Sequence, residues 1–341
     1  MLRQAMTYLG CGPTLTAIRQ VQLSACEERL TAYPTGALFD EDFDDRAVQA
    51  LYDLSYYSIE NPVSRLLTAE ELRQMVLDMI PTELAFLSMR EYEMLTDLYQ
   101  NHGFLFLKGC EDLEGAESLI RRLWVGLGDL DGMRYLSFPK RIADLLADTF
   151  DSKGYGPVRD ESLVFEKTIH RLIYLNGVLP ERLVHSLLYD KLCVENYPKG
   201  EHALRRMIDS AFDCACRKDG TMFLIHPALI DLDRYRTTGL FPNPDDEDHP
   251  LFVPDQEILR QEVPLHDAMC GALYGAVRPE YNFIECAEDL RFLIKQGISL
   301  EETEKAMASF LVSSPTEYMH QVLGDLYRGT PRWPCYQGVL N

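Results

Sequence analysis

The sequence predicts an all-α, multi-helical fold with short helical hairpins and at most a minor pair of β-strands. Three observations lead to this prediction. Apolar residues recur at helical spacing along most of the chain. Hydrophobic residues make up 46% of the 341 residues, which is enough for a packed core. No regular alternation of strands with helices, as in a doubly wound parallel sheet, is visible.

The first clear helix begins at a capping box formed by Thr68 and Glu71. Its apolar residues follow the i, i+3, i+4, i+7 rule: Leu72, Met75, Val76 and Met79. We expect the next helix over 81–103, because Pro81 suits a first turn and Gly103 suits a helix end. A further helix is expected over 112–128.

Six more segments have helical periodicity and are bounded by glycine, serine or proline. They are 161–177, 179–196, 200–220, 287–297, 299–312 and 314–328. Two short apolar runs, 103–109 and 221–227, are the only candidates for strands. The sequence "GLGDLDG" at 126–132 is interpreted as a helix end followed by a turn, since its glycines do not have the spacing of a dinucleotide-binding loop.

The longest segment without periodicity is 227–263, and connections of that length are uncommon inside compact domains. We therefore expect a larger helical domain at 1–226, a long acidic, proline-rich connecting loop at 227–263, and a smaller helical region at 264–341. The loop contains "FPNPDDEDHPLFVPDQE" (241–257), with four prolines and six acids. Proline stiffens such a segment and favours extended backbone.

Charge and targeting features limit the function classes. The formal net charge is −21, from 54 acids and 33 bases, and the bases are scattered. A nucleic-acid backbone or an anionic membrane would be repelled. The nine cysteines do not form a disulfide pattern. No apolar run resembles an export signal or a membrane span, so a cytoplasmic location is expected.

The acidic and histidine-bearing segments are the candidates for metal sites. The patch 40–46 fails as a calcium loop, because Asp45 replaces the turning glycine and Leu51 the bidentate glutamate; we expect a solvated acidic face before a helix. Glu166 and His170, and likewise Glu181 and His185, are four residues apart on helices, and surface ion pairing is the expected role.

The strongest catalytic candidates are His226, Asp231 and Asp233, which follow a possible strand. A histidine at a strand end with nearby carboxylates is an arrangement that metal-dependent hydrolases use. His226, Asp231 and His249 are the candidate ligands for a divalent metal. Walker, GxSxG and HExxH motifs are absent from the sequence. Cys214 and Cys216 are placed in a helix, where they would point apart and could not share a ligand.

Partner binding is predicted at two places. The first is the acidic run Asp245, Asp246, Glu247 and Asp248, which the prolines would hold out as a stiff, negatively charged arm. The second is Tyr56 and Tyr57, because tyrosine beside acids suits a protein–protein contact. The two C-terminal helices resemble a helix-turn-helix, but residues 299–330 contain five acids and two bases, which favours an ordinary helical hairpin.

Two function classes remain from the sequence. The first is a cytoplasmic interaction or regulatory protein without catalysis or cofactor, binding a basic protein partner; one version of it mimics the charge of nucleic acid. The second is a metal-dependent hydrolase with its site in the 226–249 segment.

Overall fold

The computed structural model describes residues 24–40, 42–60, 62–107, 110–150, 155–217, 220–229, 232 and 256–333. Within this part of the chain, 63% of the residues are α-helical and two small three-stranded antiparallel sheets are present. The predicted predominance of helices is confirmed. The prediction of at most a minor pair of strands is wrong, because each sheet contains three strands.

The chain forms two units. The N-terminal unit comprises the described residues of Gln22–Lys167 together with Val184–Phe212. The C-terminal unit comprises Thr168–Leu183 together with the described residues from Asp213 onward. Each unit is therefore assembled from separate stretches of chain, a division different from the expected succession of 1–226, 227–263 and 264–341.

Helices and one sheet form the N-terminal unit. In chain order its elements are α1 (24–30), α2 (Asp45–Leu54), α3 (Tyr56–Glu60), α4 (Ala69–Glu83), α5 (Met89–Gln100), β1 (Phe104–Phe106), α6 (Cys110–Arg121), β2 (Gly126–Leu130), β3 (Met133–Ser137), α7 (Lys140–Phe150), the first part of α8 (Tyr155–Asn176), most of α9 (Glu181–Lys191) and α10 (Gly200–Ala211). The sheet has the strand order β1-β3-β2.

Within this unit, the capping box at Thr68 and Glu71 is confirmed as the start of α4. The single helix predicted over 81–103 is wrong: Pro81 lies inside α4, and α5 begins only at Met89, after a second capping box formed by Ser88 and Glu91. Proline inside α4 removes one backbone hydrogen-bond donor, and the helix ends two residues later, at Glu83.

The C-terminal unit contains the end of α8, the second sheet and four long helices. After β4 (Val178–Pro180) come β5 (Cys214–Cys216), β6 (Met222–Ile225), α11 (Gln256–Leu273), α12 (Phe283–Lys295), α13 (Leu300–Phe310) and α14 (Glu317–Gly329). The predicted helices at 287–297, 299–312 and 314–328 are confirmed. The predicted connecting loop extends too far, because α11 already covers residues 256–263.

Both sheets contain a segment whose predicted conformation is wrong. Residues 126–132 form β2 and a tight turn in which Asp131 and Gly132 have φ of 53° and 80°, a backbone that suits a two-residue hairpin turn. Residues 214–216 form β5, because α10 ends at Ala211. The expected strands at 103–109 and 221–227 are confirmed as β1 and β6.

Each unit has its own apolar core. In the N-terminal unit, residues of α2, α4, α5 and α6 pack with Leu127 and Leu136 from the inner side of the sheet. In the C-terminal unit, α11 to α14 pack around Leu290, Met307 and Leu323. In the described part of the chain, no helix combines the length and the apolar character needed to cross a membrane.

Candidate functional site

His226 is the one residue of the predicted catalytic and metal sets that lies among the described residues; Asp231, Asp233, His249 and the acidic run 245–248 lie outside them. The His226 ring packs 4.3 Å from Phe292 and 5.6 Å from Trp333, measured between ring centroids. Its Nδ1 accepts a hydrogen bond from the backbone N–H of Ala228 at 3.1 Å. These contacts tie the imidazole into the turn after β6 and into the aromatic packing of the C-terminal unit.

The two pairs of glutamate and histidine spaced four residues apart, for which surface ion pairing was expected, have varied surroundings. Glu166 is buried, and its carboxylate accepts from the backbone N–H of Met89 at 2.7 Å. This bond satisfies one of the N–H groups at the start of α5 that have no acceptor within the helix. The prediction that Glu166 belongs to a surface ion pair is therefore wrong, while His170 is exposed. His185 stacks on Tyr189. Across the described ranges, no three His, Cys, Asp or Glu side chains are grouped so that they could hold a metal ion.

The first acidic patch serves the start of a helix. The Asp44 side chain accepts from the backbone N–H of Ala47 at 2.8 Å and caps α2, and Asp45 lies in its first turn. A carboxylate at the start of a helix accepts from a backbone N–H that has no acceptor within the helix, and its negative charge interacts favourably with the helix dipole. The expected acidic face before a helix is present.

Tyr56 and Tyr57 are 4% and 0% exposed. The Tyr56 hydroxyl lies 3.2 Å from Ser118 Oγ, and the Tyr57 hydroxyl donates to the carbonyl oxygen of Arg122 at 3.3 Å. Both rings therefore contribute to the interior of the N-terminal unit rather than to its surface.

These tyrosines surround a buried charge cluster formed by Glu83, Glu91, Arg122 and Arg206, each at most 1% exposed. Arg122 lies at its centre: Nε donates to Glu91 at 2.8 Å, and Nη1 donates to Glu83 at 2.9 Å. Arg206 also pairs with Glu83. The two acids and two bases balance, so the interior carries no net charge from them.

Glu91 is the most heavily bonded member of the charge cluster. It accepts from Ser88, Ser118, Ser210 and Arg122. Burial alone would raise the pKa of Glu91, but the Arg122 charge and these hydrogen bonds outweigh it and lower the pKa. Burial acts against the charge of Arg122 too, yet Glu91 leaves the pKa of that guanidinium raised. Glu91 and Arg122 are therefore held charged, which suits a structural cluster that ties α4, α5, α6 and α10 together.

A second buried ion pair lies in the C-terminal unit. Lys295 Nζ donates to Glu262 at 2.6 Å, and the Tyr174 hydroxyl donates to the other oxygen of the same carboxylate at 2.5 Å. Burial lowers the pKa of Lys295 despite the adjacent carboxylate. The backbone N–H of Trp333 donates to the Lys295 carbonyl, and its indole N–H donates to that of Tyr174. This pair links α8, α11 and α12 to the chain after α14.

A group of exposed apolar side chains lies on the outward side of the sheet in the N-terminal unit. Residues paired directly across antiparallel strands share a side, and alternate residues of a strand do too. The register therefore places five apolar side chains together, and we name this set the outer face: Phe104, Phe106, Leu130, Met133 and Tyr135. Phe104, Leu130 and Met133 are 57%, 52% and 55% exposed, and Phe106 is 39% exposed.

Tyr135 organises the outer face. Its ring lies over Gly128, where an added Cβ would meet the ring carbon Cζ at 2.2 Å. The ring centroids of Phe104 and Phe106 lie 5.9 Å and 6.0 Å from that of Tyr135, in tilted and edge-on arrangements. Glycine at 128 is therefore needed for the tyrosine to lie flat between the strands.

An acidic group borders the outer face at its hairpin end. Asp131 is exposed in the turn that follows Leu130. Asp129 is also exposed, but the register pairs it with Arg134, so both of these side chains leave the other side of the sheet. There, Asp129 accepts from the backbone N–H of Gly132 at 3.0 Å, and Arg134 donates to the Glu27 carbonyl at 3.2 Å. The hairpin end of the outer face therefore carries the negative charge of Asp131.

Backbone groups are also available beside the outer face, because β1 is the terminal strand of the sheet as far as the structure describes it. Leu107 N–H donates to Arg134, and Gly103 accepts from Phe138, so alternate residues of β1 bond to β3. The backbone groups of Phe106 and the carbonyl of Phe104 consequently point toward the open edge.

Sequence reasoning missed both the charge cluster and the outer face. The Asp131-Gly132 dipeptide between apolar residues is a strong hairpin signal and could have revealed β2 and β3. The Ser88-x-x-Glu91 capping box could have placed the start of α5. The pairing of Arg122 with Glu83 and Glu91 has no sequence signal, since the residues are 39 and 31 positions apart.

Comparison with known proteins gives no relative from which a function could be transferred: no protein-family model, no curated protein and no solved structure matches the chain.

Proposed function

We propose that this chain is a protein-interaction protein that binds a basic, apolar segment of a partner protein at the outer face of its N-terminal sheet. The segment binds as an extended strand beside β1. The observation that carries the proposal is the contiguous exposure of Phe104, Phe106, Leu130 and Met133 around Tyr135. Contiguous exposed apolar surface with a polar rim is typical of interaction sites, whereas scattered exposed apolar residues are ordinary.

The chemistry of the partner follows from charge. Asp131 borders the apolar side chains at the hairpin end, and the whole chain carries a net charge of −21. Lysine or arginine in the bound segment would be attracted and steered toward this surface. A second copy of the chain would instead bring the same carboxylates together, and nucleic acid would add further negative charge.

The mode of binding follows from the open edge of β1. A strand added there gains main-chain hydrogen bonds to Phe104 and Phe106. Its alternate side chains would reach the outer face, where the aromatic rings offer large contact area. The remaining side chains would face the opposite side of the sheet. We therefore expect apolar residues at alternate positions of the bound segment, and a basic residue at the end that lies nearest the β2–β3 hairpin and Asp131.

The experiment is selection of peptides from a random display library on the immobilised full-length chain. Selected peptides are synthesised, and their affinity is measured by fluorescence anisotropy at two salt concentrations. We expect sequences with aromatic or aliphatic residues at alternate positions and lysine or arginine toward one end, with weaker binding at higher salt.

Matched variants assign the site. Phe106→Ser with Met133→Ser should abolish binding, and Asp131→Asn should weaken it and reduce its salt dependence. Tyr274→Ser is the control, since Tyr274 is 74% exposed in the C-terminal unit. The proposal is refuted if the outer-face variant binds the peptides as well as the wild type does. It is also refuted if sedimentation shows a homodimer that the same variant dissociates.

A further inference from the structure

Three sulfur-bearing side chains share one side of the β5–β6 hairpin in the C-terminal unit. Cys214 and Cys216 are exposed, and Met222 is 38% exposed. The structure pairs Cys216 with Met222 and Cys214 with Leu224. Because Cys214 and Cys216 are alternate residues of a strand, their side chains leave the same side of the sheet.

The hydrogen-bond pattern brings Cys216 and Met222 especially close. Ile225 N–H donates to the carbonyl of Asp213, and Arg217 N–H donates to that of Thr221. The bonded pairs thus flank the pair Cys216–Met222, which is a non-hydrogen-bonded pair of the ladder. Such pairs have Cα atoms about 4.5 Å apart and the closest side chains of an antiparallel sheet.

The two thiols are poorly placed for a direct disulfide. Alternate residues of a strand are about 6.6 Å apart along its axis, and parallel side chains keep their Cβ atoms at a similar separation. A disulfide needs Cβ atoms about 3.5–4.5 Å apart. A metal ion between the sulfur atoms spans a longer gap than an S–S bond does.

The donor set selects the kind of metal. Thiolate and thioether sulfur are soft ligands that favour Cu(I). Zinc in a structural site takes four ligands in a tetrahedron, and the described residues offer no group of three His, Cys, Asp or Glu that could hold a metal ion. Cu(I) accepts linear or trigonal sulfur coordination, which two thiols and one thioether can supply.

We propose that Cys214, Cys216 and Met222 form a binding site for Cu(I). Binding releases the protons of the two thiols and changes no oxidation state. The Cys216 thiol gives up its weak hydrogen bond to the Arg217 carbonyl, at 3.3 Å, when it becomes a thiolate. Both cysteines are exposed, so the ion reaches them from solvent. The site is independent of the outer face, which belongs to the N-terminal unit.

The test titrates the reduced, full-length chain with Cu(I) in competition with bicinchoninate under anaerobic conditions. We expect one ion per chain, a sulfur-to-copper absorption band, and sulfur neighbours in X-ray absorption spectra. Cys214→Ser and Cys216→Ser should each weaken binding by about 100-fold or more, because loss of an outer-shell partner alone typically costs about 10–100-fold and loss of a ligand should cost no less. Met222→Leu should weaken it less.

Controls separate this site from the other thiols. Cys193→Ser removes an exposed cysteine of the N-terminal unit, and Cys11→Ser with Cys335→Ser removes the cysteines nearest the two chain ends. These variants should bind as the wild type does. Unchanged Cu(I) affinity in the Cys214→Ser and Cys216→Ser variants, or failure of the wild type to compete with bicinchoninate, would overturn the proposal. Unchanged affinity in Met222→Leu would remove the thioether from the ligand set.

Discussion

Replacement of Arg122 by methionine should destabilise the N-terminal unit strongly. The Arg122 side chain is fully buried and contributes hydrogen bonds to both Glu83 and Glu91. Methionine occupies a similar volume but supplies no charge. After the substitution, Arg206 still pairs with Glu83, whereas Glu91 keeps only the hydroxyls and backbone N–H that contact it.

The magnitude follows from the uncompensated charge. Removal of one partner of a buried ion pair typically costs about 3–5 kcal/mol, because the remaining charge stays buried without its counterion. The four remaining donors to Glu91 are neutral groups and replace only part of the lost interaction. We therefore expect a loss of about 3–5 kcal/mol in the free energy of unfolding.

The two tryptophans permit an assay of each unit by itself, since Trp124 belongs to the N-terminal unit and Trp333 to the C-terminal unit. In a Trp333→Phe background, urea unfolding followed by Trp124 fluorescence gives the free energy for the N-terminal unit. The midpoint and slope are compared rather than the intensity, because the Arg122 guanidinium lies 5.6 Å from the Trp124 ring centroid. Arg65→Met is the control, because Arg65 forms an exposed ion pair with Glu71 and should change the midpoint little.

A loss for Arg122→Met below about 1 kcal/mol, as for an exposed ion pair, would refute the interpretation of the charge cluster. A double-mutant cycle with Glu91→Gln checks the cause. If Glu91 is the charge left uncompensated, the double variant should be more stable than the sum of the two single losses predicts.

Three further outcomes are expected. Because the pKa of Glu91 is lowered in the folded state, its ionised carboxylate stabilises the N-terminal unit fully above the unfolded pKa of about 4.3, and this stabilisation is lost as the pH falls further. The Glu91→Gln variant should lack this part of the acid sensitivity, as measured by urea midpoints at several pH values. Lys295→Met should cost the C-terminal unit about 3–5 kcal/mol, and adding Glu262→Gln should restore part of it, as read from Trp333 fluorescence in a Trp124→Phe background. Gly128→Ala should displace the Tyr135 ring and lower the affinity for the selected peptides, measured by fluorescence anisotropy, while the far-UV circular dichroism spectrum stays helical. Unchanged affinity would show that the position of the ring does not matter for binding.

Several helices were predictable because a boundary residue and a helical period occur together in their sequences. Thr68 and Glu71 form the expected capping box, and the last three predicted helices of the chain are present near their expected bounds. Here local signals and tertiary packing agree, because the apolar stripe that defines the period is also the side that is buried.

Short strands were harder to predict, since a run of three residues has no measurable period. The sequence around Cys214–Cys216 gives no signal that separates it from the preceding helix α10. It is a strand because it pairs with Met222–Ile225. The consequence is large: two cysteines that would diverge on a helix lie on the same side of a strand. The outer face depends on register in the same way, because Phe104, Tyr135 and Leu130 come from three different strands.

The buried charges mark the limit of sequence reasoning for a physical reason. Periodicity arguments assign acids and bases to the solvated side of a helix, since a lone buried charge is costly. Glu83, Glu91, Arg122 and Arg206 break that rule together, and each is tolerated only because the others are present. Residues on α4, α5 and α10 and one just after α6 must meet before any of them is satisfied. The cluster is therefore a property of the assembled unit, and single substitutions in it should cost more than removal of a complete pair.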